Sequence, residues 1–274
     1  MKNLLHNIQI LAMLALTMTS TTSCSEELND VDDVQVSFTA TLPTDIRTRS
    51  FGDAGQVNTL VVGIFDEQEE EIFRQSFTIS GPTTDVKLTL AQHQTYNFVF
   101  WAYDNRQDSY DIDNLTAIKM NALPEPTTFA QAEAVDAFSA TKKNITIKGN
   151  SSHSIELVRP LAQINVGTTG TPMPALLIAK EVSDTFHPFT NTVSSSGATE
   201  FTWTFSETIT ETFTVEDTEY NYLAMGYLFA PSTTTKIAVG LTLTDGVNSQ
   251  TVEFPQVEIA TNRRSNIAGK FTAE

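Results

Sequence analysis

Val34-Gln35-Val36-Ser37-Phe38-Thr39-Ala40-Thr41-Leu42 decides the fold class. Val34, Val36, Phe38, Ala40 and Leu42 fall on one face, and Gln35, Ser37, Thr39 and Thr41 on the other, which is the period of a strand buried on one side. Pro43, Thr44 and Asp45 end it. The segment from Ile46 to Gly55 has two glycines and no periodicity, and reads as an exposed loop. Downstream, apolar or alternating runs predict strands over 59–65, 71–79, 86–90, 96–103, 144–148 and 154–166, then over 175–181, 186–193, 200–205, 220–229, 236–244, 251–258 and 266–272. Acidic Asp66-Glu67-Gln68-Glu69-Glu70 makes an early connection, and Asp245-Gly246 is a hairpin signal. One short helix is predicted over 128–140, where Phe129, Ala132, Val135 or Asp136, and Phe138 recur at near-helical spacing after Pro124 and Pro126. Short strands separated by turns point to β-sandwiches rather than parallel βαβ units.

The chain has 274 residues, enough for one large domain or two small ones. Turn residues fill Gly167-Thr168-Thr169-Gly170-Thr171-Pro172-Met173-Pro174 and suggest a seam, giving domains over 34–170 and 171–274. The expected fold is all-β, with two sandwich domains in tandem and one short helix. Acidic side chains outnumber basic ones 33 to 16, for a formal charge of −17. A phosphate-tracking surface needs a basic patch, and the only paired cations are Lys142-Lys143 and Arg263-Arg264, so no nucleic-acid partner is expected.

Lys2, the mostly apolar run from Ile8 to Met18 and the small residues after it have the layout of a secretory signal over 1–23. The apolar core is too short for an ordinary transmembrane helix. Cys24 is the only cysteine, so no disulfide can form within the chain. Thr21-Thr22-Ser23-Cys24 resembles the loose lipobox of Bacteroidetes lipoproteins, with Thr21 in place of the more usual Leu, which implies lipid attachment at Cys24 and an outer-membrane anchor. Residues 24–33 contain five acids and read as a solvated tether. The same pattern resembles the acidic signal that exports such lipoproteins to the cell surface.

No catalytic constellation is visible. His93, His153 and His187 are far apart and read as isolated surface residues, without a His/Cys metal pair. Gly-x-Ser-x-Gly, Gly-x-Gly-x-x-Gly and the phosphate-binding loop do not occur. Asp104, Asp108, Asp111 and Asp113 lack the glycine of a calcium loop and read as a solvated loop. Glu216-Asp217-Glu219 reads the same way, because catalytic carboxylates are brought together from distant strands. Trp101, Trp203, Tyr103, Tyr220, Tyr222 and Tyr227 would stack sugars if exposed together, but in runs this apolar they read as core. The chain is therefore expected to be non-enzymatic, with no cofactor and no metal.

Two segments carry a family resemblance. Leu157-Val158-Arg159-Pro160-Leu161-Ala162-Gln163-Ile164-Asn165-Val166-Gly167-Thr168 resembles the mid-chain strand of Bacteroidetes fimbrillin-like proteins. Asn262-Arg263-Arg264-Ser265-Asn266-Ile267-Ala268-Gly269-Lys270 is similar to their closing strand, with Ser265 in place of Thr. The resemblance implies a type V pilus subunit built from two transthyretin-like sandwiches. It also implies processing by a trypsin-like or Arg-specific protease, at Arg49 before Ser50 or at Arg47 before Thr48. If Val34–Leu42 pairs at a sheet edge, its removal bares an apolar groove and a row of unpaired backbone groups, which recruit a strand from another subunit. Only four residues follow Lys270, so the donor is either the closing strand itself or absent, as in an anchor or tip subunit. The rival readings are a lipid-tethered, monomeric glycan-binding protein and a secreted hydrolase.

Overall fold

β1 (Asp33–Thr41) keeps the alternation of its sequence, with Val36, Phe38 and Ala40 buried and the residues between them on the outside. The computed structural model describes residues 32–43, 54–195 and 200–273. The expectations placed on Cys24, Arg47, Arg49, Ser50 and residues 1–23 therefore lie outside the described residues. The next strands are β2 (Thr59–Phe65), β3 (Glu71–Thr78), β4 (Thr83–Ala91), β5 (Thr95–Tyr103), β6 (Tyr110–Asp111) and β7 (Ile118–Met120). After α1 (Phe129–Glu133) come β8 (Phe138–Thr146), β9 (Ser151–Glu156), β10 (Leu161–Thr168), β11 (Ala175–Lys180), β12 (Thr185–His187) and β13 (Thr192–Ser194). The chain closes with β14 (Glu200–Phe205), β15 (Thr212–Val215), β16 (Thr218–Phe229), β17 (Thr235–Thr244), β18 (Ser249–Ile259) and β19 (Arg264–Gly269).

The strands form two β-sandwiches with one connectivity used twice. In the first, β1 lies between antiparallel β4 and parallel β9, facing a sheet of order β3-β2-β5-β8. In the second, β10 lies between antiparallel β16 and parallel β19, facing β14-β11-β17-β18, and β15 extends the first of these sheets beyond β16. The two insertions, β6-β7 and β12-β13, pair into a small sheet of their own that joins the two halves. Leu161–Thr168, placed by the sequence in the N-terminal half, thus opens the second sandwich.

Two cores follow. Val36, Phe38, Ala40, Leu60, Val62, Phe98 and Phe100 fill the first sandwich. The opposite faces of β2 and β5 present Val61, Phe65, Val99 and Trp101 to a larger core that continues through the second sandwich. Burial on both faces explains why 59–65 and 96–103 are apolar runs rather than alternating ones.

The helix is shorter than its apolar spacing predicts. Thr128 and Gln131 form a capping box that starts α1, which ends at Glu133. Phe138 already belongs to β8, opposite Ala102 of β5. The 154–166 run is broken into β9 and β10 around Pro160, which has no N–H to give a ladder. Residues 186–193 form a hairpin, β12 and β13, rather than one strand.

Candidate functional site

β1 is the first place where sequence and structure point to function. It pairs with β4 over nine positions, Asp33↔Ala91 to Thr41↔Thr83, and with β9 over six, Val36↔Ser151 to Thr41↔Glu156. The expected edge position is corrected: β1 is the central strand of its sheet. Among the described residues β4 and β9 have no other strand neighbour. Inward, Val36, Phe38, Ala40 and Leu42 are buried, and Val34 packs against the same core. The Phe38 ring lies 4.9 Å from that of Phe98, 5.3 Å from Phe100 and 5.1 Å from His153, which stacks on it. Outward, Thr39 Oγ1 donates to Asp85 Oδ1 at 3.0 Å, and Asn150 Oδ1 accepts from Gln35 N at 2.9 Å. One face is thus grease in a slot and the other is solvent-facing hydroxyls.

The two family-like segments meet at a second place. β19 runs parallel to β10 with Gln163 opposite Arg264 and Asn165 opposite Asn266. Arg264 Nε donates to Gln163 Oε1 at 3.0 Å, and Asn165 Nδ2 to Asn266 Oδ1 at 2.9 Å. Arg159 grips Asp136 with two bonds of 2.6 and 2.8 Å and donates to Asn262 Oδ1 at 2.9 Å. Its guanidinium also lies over the Phe138 ring. Burial pushes the Asp136 carboxyl up, against the pull of the Arg159 hydrogen bonds and charge. Burial, and then the Asp136 charge, raise the neighbouring Tyr110 and Tyr227 phenols well above their usual range. Asp136 is buried and Arg159 half-buried, with its bonds spent on Asp136 and Asn262, so the pair braces the junction of the sandwiches rather than offering chemistry. The sequence reading placed Asp136 only in the helical spacing of 128–140 and gave it no role, and the one further signal was a lone acid inside the apolar run Ala134-Val135-Asp136-Ala137-Phe138.

The other candidates are dispersed. Among the described residues no three His, Cys, Asp or Glu side chains are placed to hold a metal ion. Burial opposes the charge on Asp104, yet Arg106, at 2.8 Å through Nε, and Asn58, at 2.7 Å, hold its carboxyl below the ordinary value. Asp108 accepts from Asn121, and Asp111 accepts from the Asp113 amide. Glu216 and Asp217 occupy the two-residue turn between β15 and β16 with φ of 46° and 65°. Of the histidines expected at the surface, only His93 is exposed. His153 and His187 are half-buried, and His187 Nε2 lies 2.8 Å from Ser194 Oγ. Trp101, Trp203, Tyr222 and Tyr227 are core residues, and Tyr103 and Tyr220 are half-buried, so these rings form no exposed platform for a sugar.

Over residues 28–274 the chain matches a family of unknown function, DUF6562. No curated protein matches it. Among solved structures it is similar to a candidate adhesin from Bacteroides thetaiotaomicron, at 14% identity and TM-score 0.53, covering 82% of this chain and 81% of that one. It is also similar to the C-terminally truncated tip fimbrial protein Mfa3 of Porphyromonas gingivalis, at 14% identity and TM-score 0.50, covering 88% and 96%. A candidate adhesin from Bacteroides ovatus gives 10% identity and TM-score 0.50, covering 85% and 79%. At these identities the likeness is one of fold, and that fold is the tandem sandwich the fimbrillin-like resemblance implies.

Proposed function

We propose that this chain, which belongs to the DUF6562 family, is a non-enzymatic, fimbria-associated cell-surface protein serving adhesion, assembled by exchange of its first strand. Cys24 would carry the lipid that holds it to the outer membrane, and a trypsin-like or Arg-specific protease would cut after Arg49 or Arg47. The observation that carries this reading is the place of β1. It joins β4 and β9, which have no other strand partner among the described residues, and it lies in a slot whose outer face is solvent. Its withdrawal would strip two backbone ladders at once, and a strand of another subunit with the same alternation would restore both. The fold shared with a tip fimbrial protein agrees with such a role.

The test is limited digestion of the purified chain with a trypsin-like protease, followed by N-terminal sequencing and a gel of unboiled samples. A new terminus at Ser50 or Thr48 with a ladder of oligomers is expected. A cut that leaves a monomer with β1 still bound would overturn strand exchange.

A further inference from the structure

β3 is an outer strand that pairs only with β2, so one of its edges is unpaired within the described residues. Natural edges of this kind are usually blunted by charge, proline or a bulge. β18 has Pro255 and β8 has Lys142 and Lys143; β3 carries Glu71, Arg74 and a bulge, yet between its two charges it presents Ile72 at 57% exposure and Phe73 at 53%, side by side. A register shift between Ile64 and Phe65 leaves Ile72 as the extra residue of a bulge, with Glu71 opposite Phe65 and Arg74 opposite Gly63. Both charges therefore fall on one face, where Arg74 Nη2 donates to Glu71 Oε2 at 2.6 Å. Arg74 is fixed further by its bonds to the carbonyls of Ile112 and Asp113, at 2.7 and 2.9 Å.

Glu71-Ile72-Phe73-Arg74 is self-complementary when read antiparallel to itself. Glu71 then faces Arg74 of a second copy, Ile72 faces the second copy's Phe73, and both relations recur across the two-fold axis. We propose that the β3 edge is a docking surface for a second copy of this chain, joining the two β3-β2-β5-β8 sheets across a two-fold axis centred between Ile72 and Phe73. Cross-strand apolar and opposite-charge pairs are the contacts that stabilise sheets, and a two-fold interface requires this self-complementarity. The contact is smaller than a standard interface, so association depends on concentration. Two chains of formal charge −17 also repel, so it is measured with that repulsion screened by physiological salt. The proposal uses the sheet opposite β1 and stands independently of strand exchange.

The experiment is sedimentation of the full chain across a wide concentration range, with Glu71→Arg and Arg74→Glu variants alone and mixed. Glu71→Arg loses the half-buried intrachain pair, and Arg74→Glu loses that pair and the two bonds to the carbonyls of Ile112 and Asp113, so a thermal melt of each variant checks that it still folds. The unaltered chain is expected to pass from monomer to dimer as concentration rises, and each variant alone, placing like charges opposite each other, is expected to stay monomeric. An equimolar mixture is expected to regain the dimer, because the paired arginines of one variant then face the paired glutamates of the other. An unaltered chain that remains monomeric, variants that dimerise as well as it does, or a mixture that stays monomeric would each overturn the proposal.

Discussion

Replacing Phe38 with alanine tests whether β1 holds the first sandwich together. Phe38 is 1% exposed, with rings of Phe98, Phe100 and His153 centred 4.9, 5.3 and 5.1 Å away. Emptying a buried phenylalanine site costs about 3–5 kcal/mol, depending on how far the surroundings collapse. Collapse is limited here, because Phe98 and Phe100 stand on β5, which is hydrogen-bonded on both sides to β2 and β8. A loss of about 4 kcal/mol is therefore expected, which lowers the melting temperature by roughly 8–16 °C for a chain of this size. Thr39→Ala, one residue along on the outer face, removes only the 3.0 Å bond to Asp85 and should cost about 0.5–1.5 kcal/mol. Guanidinium titration of both variants, followed by circular dichroism, gives the comparison. If Phe38→Ala cost no more than Thr39→Ala, β1 would not be anchored by its inner face, and the slot would not select the strand that fills it.

Gly226→Ala would place a Cβ 2.6 Å from two ring atoms of buried Trp203, costing about 1–3 kcal/mol by overpacking, and a Trp203→Leu background should relieve most of it in the same denaturation assay. Arg159→Met takes both ion-pair bonds from the buried Asp136 carboxyl, a loss of about 3–5 kcal/mol, whereas Asp136→Leu combined with Arg159→Met should recover most of the stability in melts at neutral pH. Asp104 has its carboxyl pKa lowered on folding, so its contribution is present above the ordinary carboxylate range and is lost as pH falls through that range toward the folded value. Asp104→Asn should accordingly flatten the acid side of the stability profile, seen as a smaller fall in melting temperature between neutral and acid pH than in the parent.

Local pattern made much of the fold legible. The boundaries of β2 and β14 coincide with their predicted runs, because each run is bounded by polar or turn residues and its burial is set by its own sheet. Two of the errors share a physical cause: one residue type serves two purposes. Gly167 reads as a turn, yet it lies inside β10, where an added Cβ would sit 2.3 Å from the Phe213 ring, so the glycine makes room for packing. Phe138 sits at helical spacing from Phe129 but begins a strand. The central place of β1 was invisible because its partners lie some 50 and 115 residues away along the chain, a matter of topology on which alternation is silent. The role of Asp136 was invisible for the same reason, since it comes from Arg159 across a fold boundary.

The repeated connectivity bears on which strand can leave. β1 and β10 hold the same place, between an antiparallel and a parallel neighbour, so topology alone would let either be exchanged. Burial separates them. Every residue of β10 is buried, with Leu161, Ala162, Ile164 and Val166 in the second core and Gln163 and Asn165 bonded to Arg264 and Asn266, so withdrawing it would open that core and break those bonds. β1 alternates, so under the proposed strand exchange its outer hydroxyls would return to water at little cost. What the slot then demands is narrow: a medium apolar residue at the position of Val36, a ring at Phe38 between Phe98, Phe100 and His153, and a small side chain at Ala40. A strand with the ring and the small residue in the opposite order would meet overpacking at one position and a void at the other, each costing on the order of kilocalories. The slot would thus fix both the identity and the register of whatever fills it.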